Sequence, residues 1–248
     1  MSIGEPEVSV IIPFYNEEEN VEDTLRTVSE SLSESGLRSW ELILVNDGST
    51  DSTRTLLQKW TAQYRSATIV NHDRNLGVGA ALRNGVGHAR GKKLVTIEGD
   101  LTYDPRDIVR LTKEIDKGYD LVIGSPYAKG GSVGGVAIGR RVISKFGNLL
   151  LARSSGLGVS CVTNSFRAYR SNLGHLFVMA QHNDKRLHPT ILMLANLSKL
   201  RIKEIPVVLH PRKRGKSKTR LSGAVLTHTG LLLSFLRIRI REASTKKG

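Results

Sequence analysis

Between residues 8 and 124 the chain repeats one unit: an apolar run, a polar turn, then a segment with helical periodicity. The apolar runs at 8–12, 41–45, 68–70, 94–97 and 121–123 predict strands. Between them Val21, Leu25, Val28 and Leu32 mark one helical face, which Gly36 ends, and Ile108, Leu111 and Ile115 mark another. Leu56, Leu57 and Trp60 belong to a further helix, and residues 80–89 to one built of small residues. Asn16 is expected to cap the first helix, Asp51 or Ser52 the second, and Asp104 the one that begins at Pro105. Such alternation admits few folds, because parallel strands need a crossover and helices must cover the sheet faces. The expected fold class is α/β, a mainly parallel sheet flanked by helices. Ligand-handling groups then belong on the loops after the strands, at 13–17, 46–51, 98–104 and 124–135.

The fourth run ends unusually. Leu94 to Ile97 leads straight into Glu98-Gly-Asp100, and an ionised carboxylate shuns a low-dielectric interior unless a cation meets it. Residues two apart on an extended chain point the same way. Glu98 and Asp100 can therefore converge on one hard cation, Mg²⁺ or Mn²⁺, through oxygen ligands. The same residues also fit a plain turn, with Gly99 breaking the strand before the next helix.

Charge divides the chain. Residues 1–120 hold 20 acids and 14 Lys+Arg, whereas residues 121–248 hold 3 acids and 23 Lys+Arg. A half with a net charge of +20 points to an anionic partner: nucleic acid, a membrane surface or a phosphorylated substrate. In that half, residues 125–135 predict a mobile or ligand-shaped glycine-rich loop, and 136–151 an amphipathic helix carrying Arg140, Arg141 and Lys145. Strands are expected at 162–169 and 201–209, with a helix at 190–198. The stretch 210–220 has six Lys+Arg and no acid. Beyond it, 221–236 is an uncharged run of 16 residues, short of the ~20 that a spanning helix needs. It suits a helix lying in the membrane interface, and equally a core helix. No signal peptide is expected from the short acidic start. The single cysteine, Cys161, allows no internal disulfide, suits a reducing compartment and reads as a small core residue. The seven histidines show no zinc-ligand spacing.

Taken in order, Val10-Ile-Ile-Pro-Phe-Tyr-Asn-Glu17, Val45-Asn-Asp-Gly-Ser-Thr-Asp51, Asn75-x-Gly-x-Gly79, the acidic pair at 98 and 100, and Thr163-Asn-Ser-Phe-Arg167 resemble glycosyltransferase family 2. The motif Arg212-x-x-Gly215-x-Ser217-Lys218 narrows the resemblance to the dolichyl-phosphate mannose synthase branch. The resemblance runs from Val8 to about Leu221. It implies a nucleotide-diphospho-sugar transferase (Rossmann-like) fold with amphipathic helices at the membrane side. Residues 1–220 would form the glycosyltransferase domain, its nucleotide-sugar half at 8–124 and its acceptor half at 125–220, before a membrane-interface tail at 221–248. Pro13, Tyr15 and Glu17 would line the nucleoside pocket, and Asp47 would hold the base or ribose. Gly99, Asp100, Arg212 and Lys218 would meet the donor, with Asp100 and Arg212 closest to the chemistry. Glu98, Asp100 and Thr102 would hold Mg²⁺ or Mn²⁺. Arg140, Ser144, Ser165 and Arg167 would take the acceptor phosphate. The implied reaction moves a hexose, mannose from GDP-mannose first among them, onto dolichyl or polyprenyl phosphate with inversion. The site implied is the cytoplasmic face of a membrane, with an anionic membrane surface and a small membrane protein as partners. The chain departs from the family's pattern at Glu98, where Asp is usual, at Pro126, where Arg is common, and at Thr190, where an acid is common.

Three other readings compete: a UDP-sugar donor such as UDP-glucose on the same fold, a non-catalytic subunit, and a nucleic-acid-binding protein. The last is disfavoured, because aromatics are 5% of the chain and none interleave the basic run.

Overall fold

The computed structural model describes residues 5–135, 138–212, 214 and 231, with backbone alone for 140 and 155. The strands come first as sequence order predicts: β1 Val8–Phe14, β2 Trp40–Asn46, β3 Ala67–Asn71, β4 Lys93–Thr96 and β5 Leu121–Ser125. Helices α1 Val21–Ser33, α2 Thr53–Gln63, α3 Val78–His88 and α4 Asp107–Asp116 connect them. The second half adds β6 Ser132–Val133, α5 Ile138–Ser155, β7 Arg167–Arg170, α6 Gly174–Met179, α7 Leu187–Leu197, β8 Ile202–Pro206 and β9 Val208–Leu209.

One sheet runs β3-β2-β1-β4-β7-β5-β8, and β6 pairs with β9 in a small second sheet. All pairings in the large sheet are parallel except those of β7, which lies antiparallel between β4 and β5. The two expected halves therefore share one sheet, because β7 and β8 complete the layer begun by β1 to β5. The order reverses between β1 and β4, so the loops after these two strands diverge and leave a crevice at their carboxyl ends.

Period-two patterning sorts the side chains. Val8, Val10, Ile12 and Phe14 join α1 and α4 residues such as Leu25, Leu111 and Ile115 in one core. Ile11, with Ile43 and Val45, faces the other core, made with α3, α6 and α7. Burying each such side chain contributes roughly 1.5–3 kcal/mol relative to leaving it exposed. Leu231 is the one described residue of the 221–248 segment, and it is buried in the second core.

Three local expectations are corrected. Asn16 does not cap α1. The chain turns through Glu17 first, and Asn16 adopts φ +50° while its side-chain oxygen accepts the Thr50 N–H at 2.8 Å. The loop expected at 125–135 as mobile or ligand-shaped is pinned within: Ser132 and Val133 pair with Val208 and Leu209. The strand expected at 162–169 begins only at Arg167. Residues 162 and 163 instead donate backbone N–H groups to the buried Asn148 side-chain oxygen of α5, at 2.7 and 3.0 Å.

Arg167 explains that shorter strand and is itself a correction. Its side chain is fully buried and gives its fork to three carbonyls: Asn164 at 3.0 Å, His188 at 2.9 Å, and Val162. A guanidinium so spent folds the 162–166 segment back on itself, with its fork committed to the protein's own carbonyls. Replacing Arg167 with Ala leaves those carbonyls unpaired, so urea unfolding should show a loss of about 3 kcal/mol. A loss under about 1 kcal/mol would contradict this structural role.

Candidate functional site

A cavity of about 650 Å³ opens at the crevice between β1 and β4. Its walls include Pro13, Tyr15 and Glu17 after β1, Asp47 after β2, and Glu98, Gly99, Asp100 and Thr102 after β4. Ser144 of α5 and Arg212 close it from the second half. Of the residues expected here, only Ser165 and Arg167 stand outside the wall, behind it. Arg140's side chain and Lys218 lie outside the described residues.

The acidic pair forms the floor. Asp100 is buried, and its Oδ1 accepts both the Thr102 N–H at 3.1 Å and the Thr102 hydroxyl at 2.7 Å. That turn holds Leu101 at φ +54°, a left-handed conformation costly for a side chain with Cβ. Asp100 Oδ2 meets Arg212 Nη2 at 2.9 Å, and Arg212 Nη1 reaches Glu17 Oε1 at 3.1 Å. Burial works to lower the Arg212 pKa, but Asp100 and Glu17 outweigh it and the guanidinium is held above its ordinary value. Glu98 accepts the Ser165 hydroxyl at 2.7 Å. Ser165 thus supports Glu98 from behind the cavity wall. Gly99 has no room for a side chain, because a Cβ there would press into the Phe14 ring, and its carbonyl accepts the Thr24 hydroxyl at 3.1 Å.

The electrostatics of this floor suit a bound cation. Burial first, and the Asp100 charge second, raise the Glu98 pKa above its ordinary value; Lys185, the Ser165 hydroxyl and Arg212 pull the other way. A buried and a half-buried carboxylate with oxygen-only donors fit a hard divalent cation that takes its remaining ligands from phosphates and water. Among the described residues no third acid, cysteine or histidine joins them. Thr102 spends its hydroxyl on Asp100 and so orients that carboxylate.

Asp47 also does something other than expected. Its carboxylate accepts four hydrogen bonds from one loop: His72 Nδ1 at 2.7 Å, Leu76 N–H at 2.9 Å, Asn75 Nδ2 at 3.0 Å and Gly77 N–H at 2.9 Å. A carboxylate offers about four lone-pair positions, so Asp47 shapes the 72–77 loop that walls the cavity. Asn84 Nδ2 donates to His72 Nε2 at 2.8 Å, which leaves the proton on Nδ1, facing Asp47.

On the opposite wall, the Tyr127 hydroxyl donates to Ser144 at 2.8 Å, and Arg141 lines the cavity beside them. Arg141 and Lys185 are cavity residues that no motif pointed to; only the basic character of the second half hinted at them. Burial pushes the Cys161 thiol up to about 12, which fits a core residue and no nucleophile.

Comparison with known proteins shows the family and the fold. A family model described as glycosyl transferase family 2 matches residues 9–176. An undecaprenyl-phosphate 4-deoxy-4-formamido-L-arabinose transferase from Salmonella choleraesuis (strain SC-B67) is 34% identical over 215 residues, covering 85% of this chain and 62% of the relative. The chain therefore spans a little under two thirds of that relative's length. Among solved structures, glucosyl-3-phosphoglycerate synthase from Mycobacterium tuberculosis, in complex with Mn²⁺, UDP and glucosyl-3-phosphoglycerate, superposes with a TM-score of 0.68 at 20% identity, over 93% of this chain and 80% of that one. A mannosyltransferase from Pyrobaculum calidifontis, in complex with GDP-Man and Mn²⁺, gives 0.62 at 20% identity, over 96% and 65%. These likenesses are likenesses of fold.

A carboxyl that holds its proton more tightly folded than unfolded withdraws stability as pH rises from its unfolded pKa through its raised folded one. Glu98 is such a group. Glu98→Gln should raise the thermal midpoint of the metal-free protein at pH 7, but not below pH ~4, and should weaken Mn²⁺ binding about tenfold or more. A lower midpoint at pH 7, or unchanged Mn²⁺ affinity by calorimetry, would contradict the assignment.

Proposed function

This chain belongs to glycosyl transferase family 2, and we propose that it moves a sugar from a nucleotide diphosphate onto a polyprenyl phosphate at a membrane surface. The observation that carries the reading is the Glu98–Asp100 pair at the sheet's crevice, with Arg212 joining Asp100 to Glu17 and with Arg141 and Ser144 on the facing wall.

The chemistry asks little of a general base. An acceptor phosphate oxygen is already anionic, so it attacks the anomeric carbon directly, forming one C–O bond as the bond to the diphosphate breaks. Configuration at that carbon inverts. The barrier lies in bringing two anions together and in the charge that builds on the departing diphosphate. Glu98 and Asp100 would hold Mg²⁺ or Mn²⁺, which when bound supplies a positive charge against that diphosphate. Arg212 sits where its guanidinium can turn from Asp100 to the diphosphate, offering two aligned donors. Arg141, with Ser144 and the Tyr127 hydroxyl, forms the side from which the acceptor phosphate enters. Pro13, Tyr15 and the loop shaped by Asp47 would seat the nucleoside.

For the donor, the sequence resemblance favours mannose from GDP-mannose. A second reading, a UDP-linked sugar and a bacterial-type lipid, draws support from the formamido-arabinose transferase relative and from the neighbour that holds UDP.

Helix α5 supports the membrane setting. Ile138, Val142, Ile143 and Phe146 are 71, 59, 52 and 65% exposed, with Arg141 and Lys145 exposed among them. Single apolar residues at a surface mean little, but four on two turns of one helix form a patch that needs cover. Among the described residues no helix is long and apolar enough to cross a membrane. The helix would therefore lie in the headgroup region of the cytoplasmic face, apolar side down and basic residues against anionic lipid. A small membrane protein beside it remains part of this reading.

Two outcomes are expected. Asp100→Ala should cut transfer of label to polyprenyl phosphate at least ~100-fold, and the wild-type product should carry the anomeric configuration opposite to the donor's; retained configuration would sink the direct-attack mechanism. Separately, a Val142→Glu/Phe146→Glu variant should stay in the pellet fraction when wild-type protein floats with anionic phospholipid vesicles. Equal flotation would remove α5 from the membrane contact.

A further inference from the structure

Lys185 lies on the loop between α6 and α7, far from every motif in the sequence, yet it lines the cavity together with Glu98 and Arg212. Its loop is not loosely placed. Asn183 accepts the Gly79 N–H at 2.8 Å through its backbone carbonyl, and Arg83 donates to the His182 carbonyl at 3.4 Å and to the Asn183 side chain. Gly77 and Gly79 permit this: a Cβ on either would run into the backbone at 182–183. Gly77 also has φ +96°, a conformation that favours glycine. The same Gly77 donates its N–H to Asp47. A continuous chain of contacts therefore runs from Asp47, through the 75–79 loop, to the backbone that presents Lys185.

We propose that Lys185 is a further substrate-binding residue, whose ammonium takes a phosphate oxygen in the cavity beside Glu98. The proposal rests on the reading that the cavity binds phosphates and adds a specific cation to it. A lysine suits the place. It is a point charge on a flexible stem, able to follow a phosphate that shifts during transfer, while Arg212 supplies the planar two-point contact. The phosphate could be the donor's or the lipid's, and the two give different results.

The test uses the full chain and Lys185→Ala, Lys185→Gln and Lys185→Arg. Because Lys185 is exposed, all three should keep the wild-type melting temperature. In the first arm, calorimetry with UDP and GDP in the presence of Mn²⁺ measures binding without acceptor. In the second, KM for polyprenyl phosphate is measured at saturating donor. Loss of a charge-assisted contact should weaken one arm about tenfold or more in the Ala and Gln variants, with Lys185→Arg recovering most of it. A loss in the first arm assigns the donor diphosphate, and a loss in the second assigns the lipid phosphate. Changes under about twofold in both arms, with wild type binding and turning over normally, would overturn the role of Lys185 and leave the glycosyl-transfer reading intact. Wild-type protein that binds neither nucleotide would overturn that reading itself.

Discussion

An acidic pair at the end of a central strand, one carboxylate buried and the other half-buried, sets the terms for everything around it. Asp100 is nearly inaccessible, and Glu98 is pushed toward its protonated form by burial and by its neighbour. Such a pair is costly to fold without a cation. The chain meets part of that cost with Arg212 from its second half, which spans Asp100 and Glu17. The segment bearing Arg212 is fastened by β9 pairing with β6, by the Tyr103–Leu209 bridge, and by the His210 N–H on the Thr102 carbonyl at 2.8 Å. The second half of the molecule is thus tied to the first at the point where negative charge is densest.

Around that floor, backbone conformations that ordinary residues avoid occur where loops must aim side chains. Asn16 and Leu101 both adopt positive φ, one after β1 and the other after β4. Gln181, at φ +47°, opens the loop that carries Lys185. Strain of this kind, of order 1–3 kcal/mol each, persists only where surrounding contacts fix it. Here the fixing contacts are visible: Thr50 and Ser49 on Asn16, Thr102 on Asp100, and Gly79 on Asn183.

The fold was legible wherever apolar spacing was regular. Val21, Leu25, Val28 and Leu32 are all buried on one face of α1, and the five early strands lie where their apolar runs stand. The strand expected at 162–169 failed because a stretch of mixed residues gave no hint that Arg167 would turn inward and draw carbonyls out of strand pairing. Site residues were legible as a set: Glu98, Asp100, Glu17 and Arg212 do converge. Their individual partners were not. Asp47, Ser165 and Thr102 have the donors and acceptors for a ligand, but their bonds go to loops and to the acidic pair, and only three-dimensional placement decides that. Arg141, placed by its spacing only on an amphipathic helix, and Lys185, placed by nothing, were not legible as cavity residues, because a basic surface has many such side chains and spacing does not say which of them border the cavity.

The central claim is that the floor of this cavity grips a divalent ion together with a nucleoside diphosphate. Crystals grown with Mn²⁺ and UDP or GDP, measured at the manganese absorption edge, test it most directly. The account predicts an anomalous peak in contact with Glu98 and Asp100, with the diphosphate on its open side and Arg212 turned onto a phosphate oxygen. Bound nucleotide with no peak there, or a peak held by other residues, would contradict it.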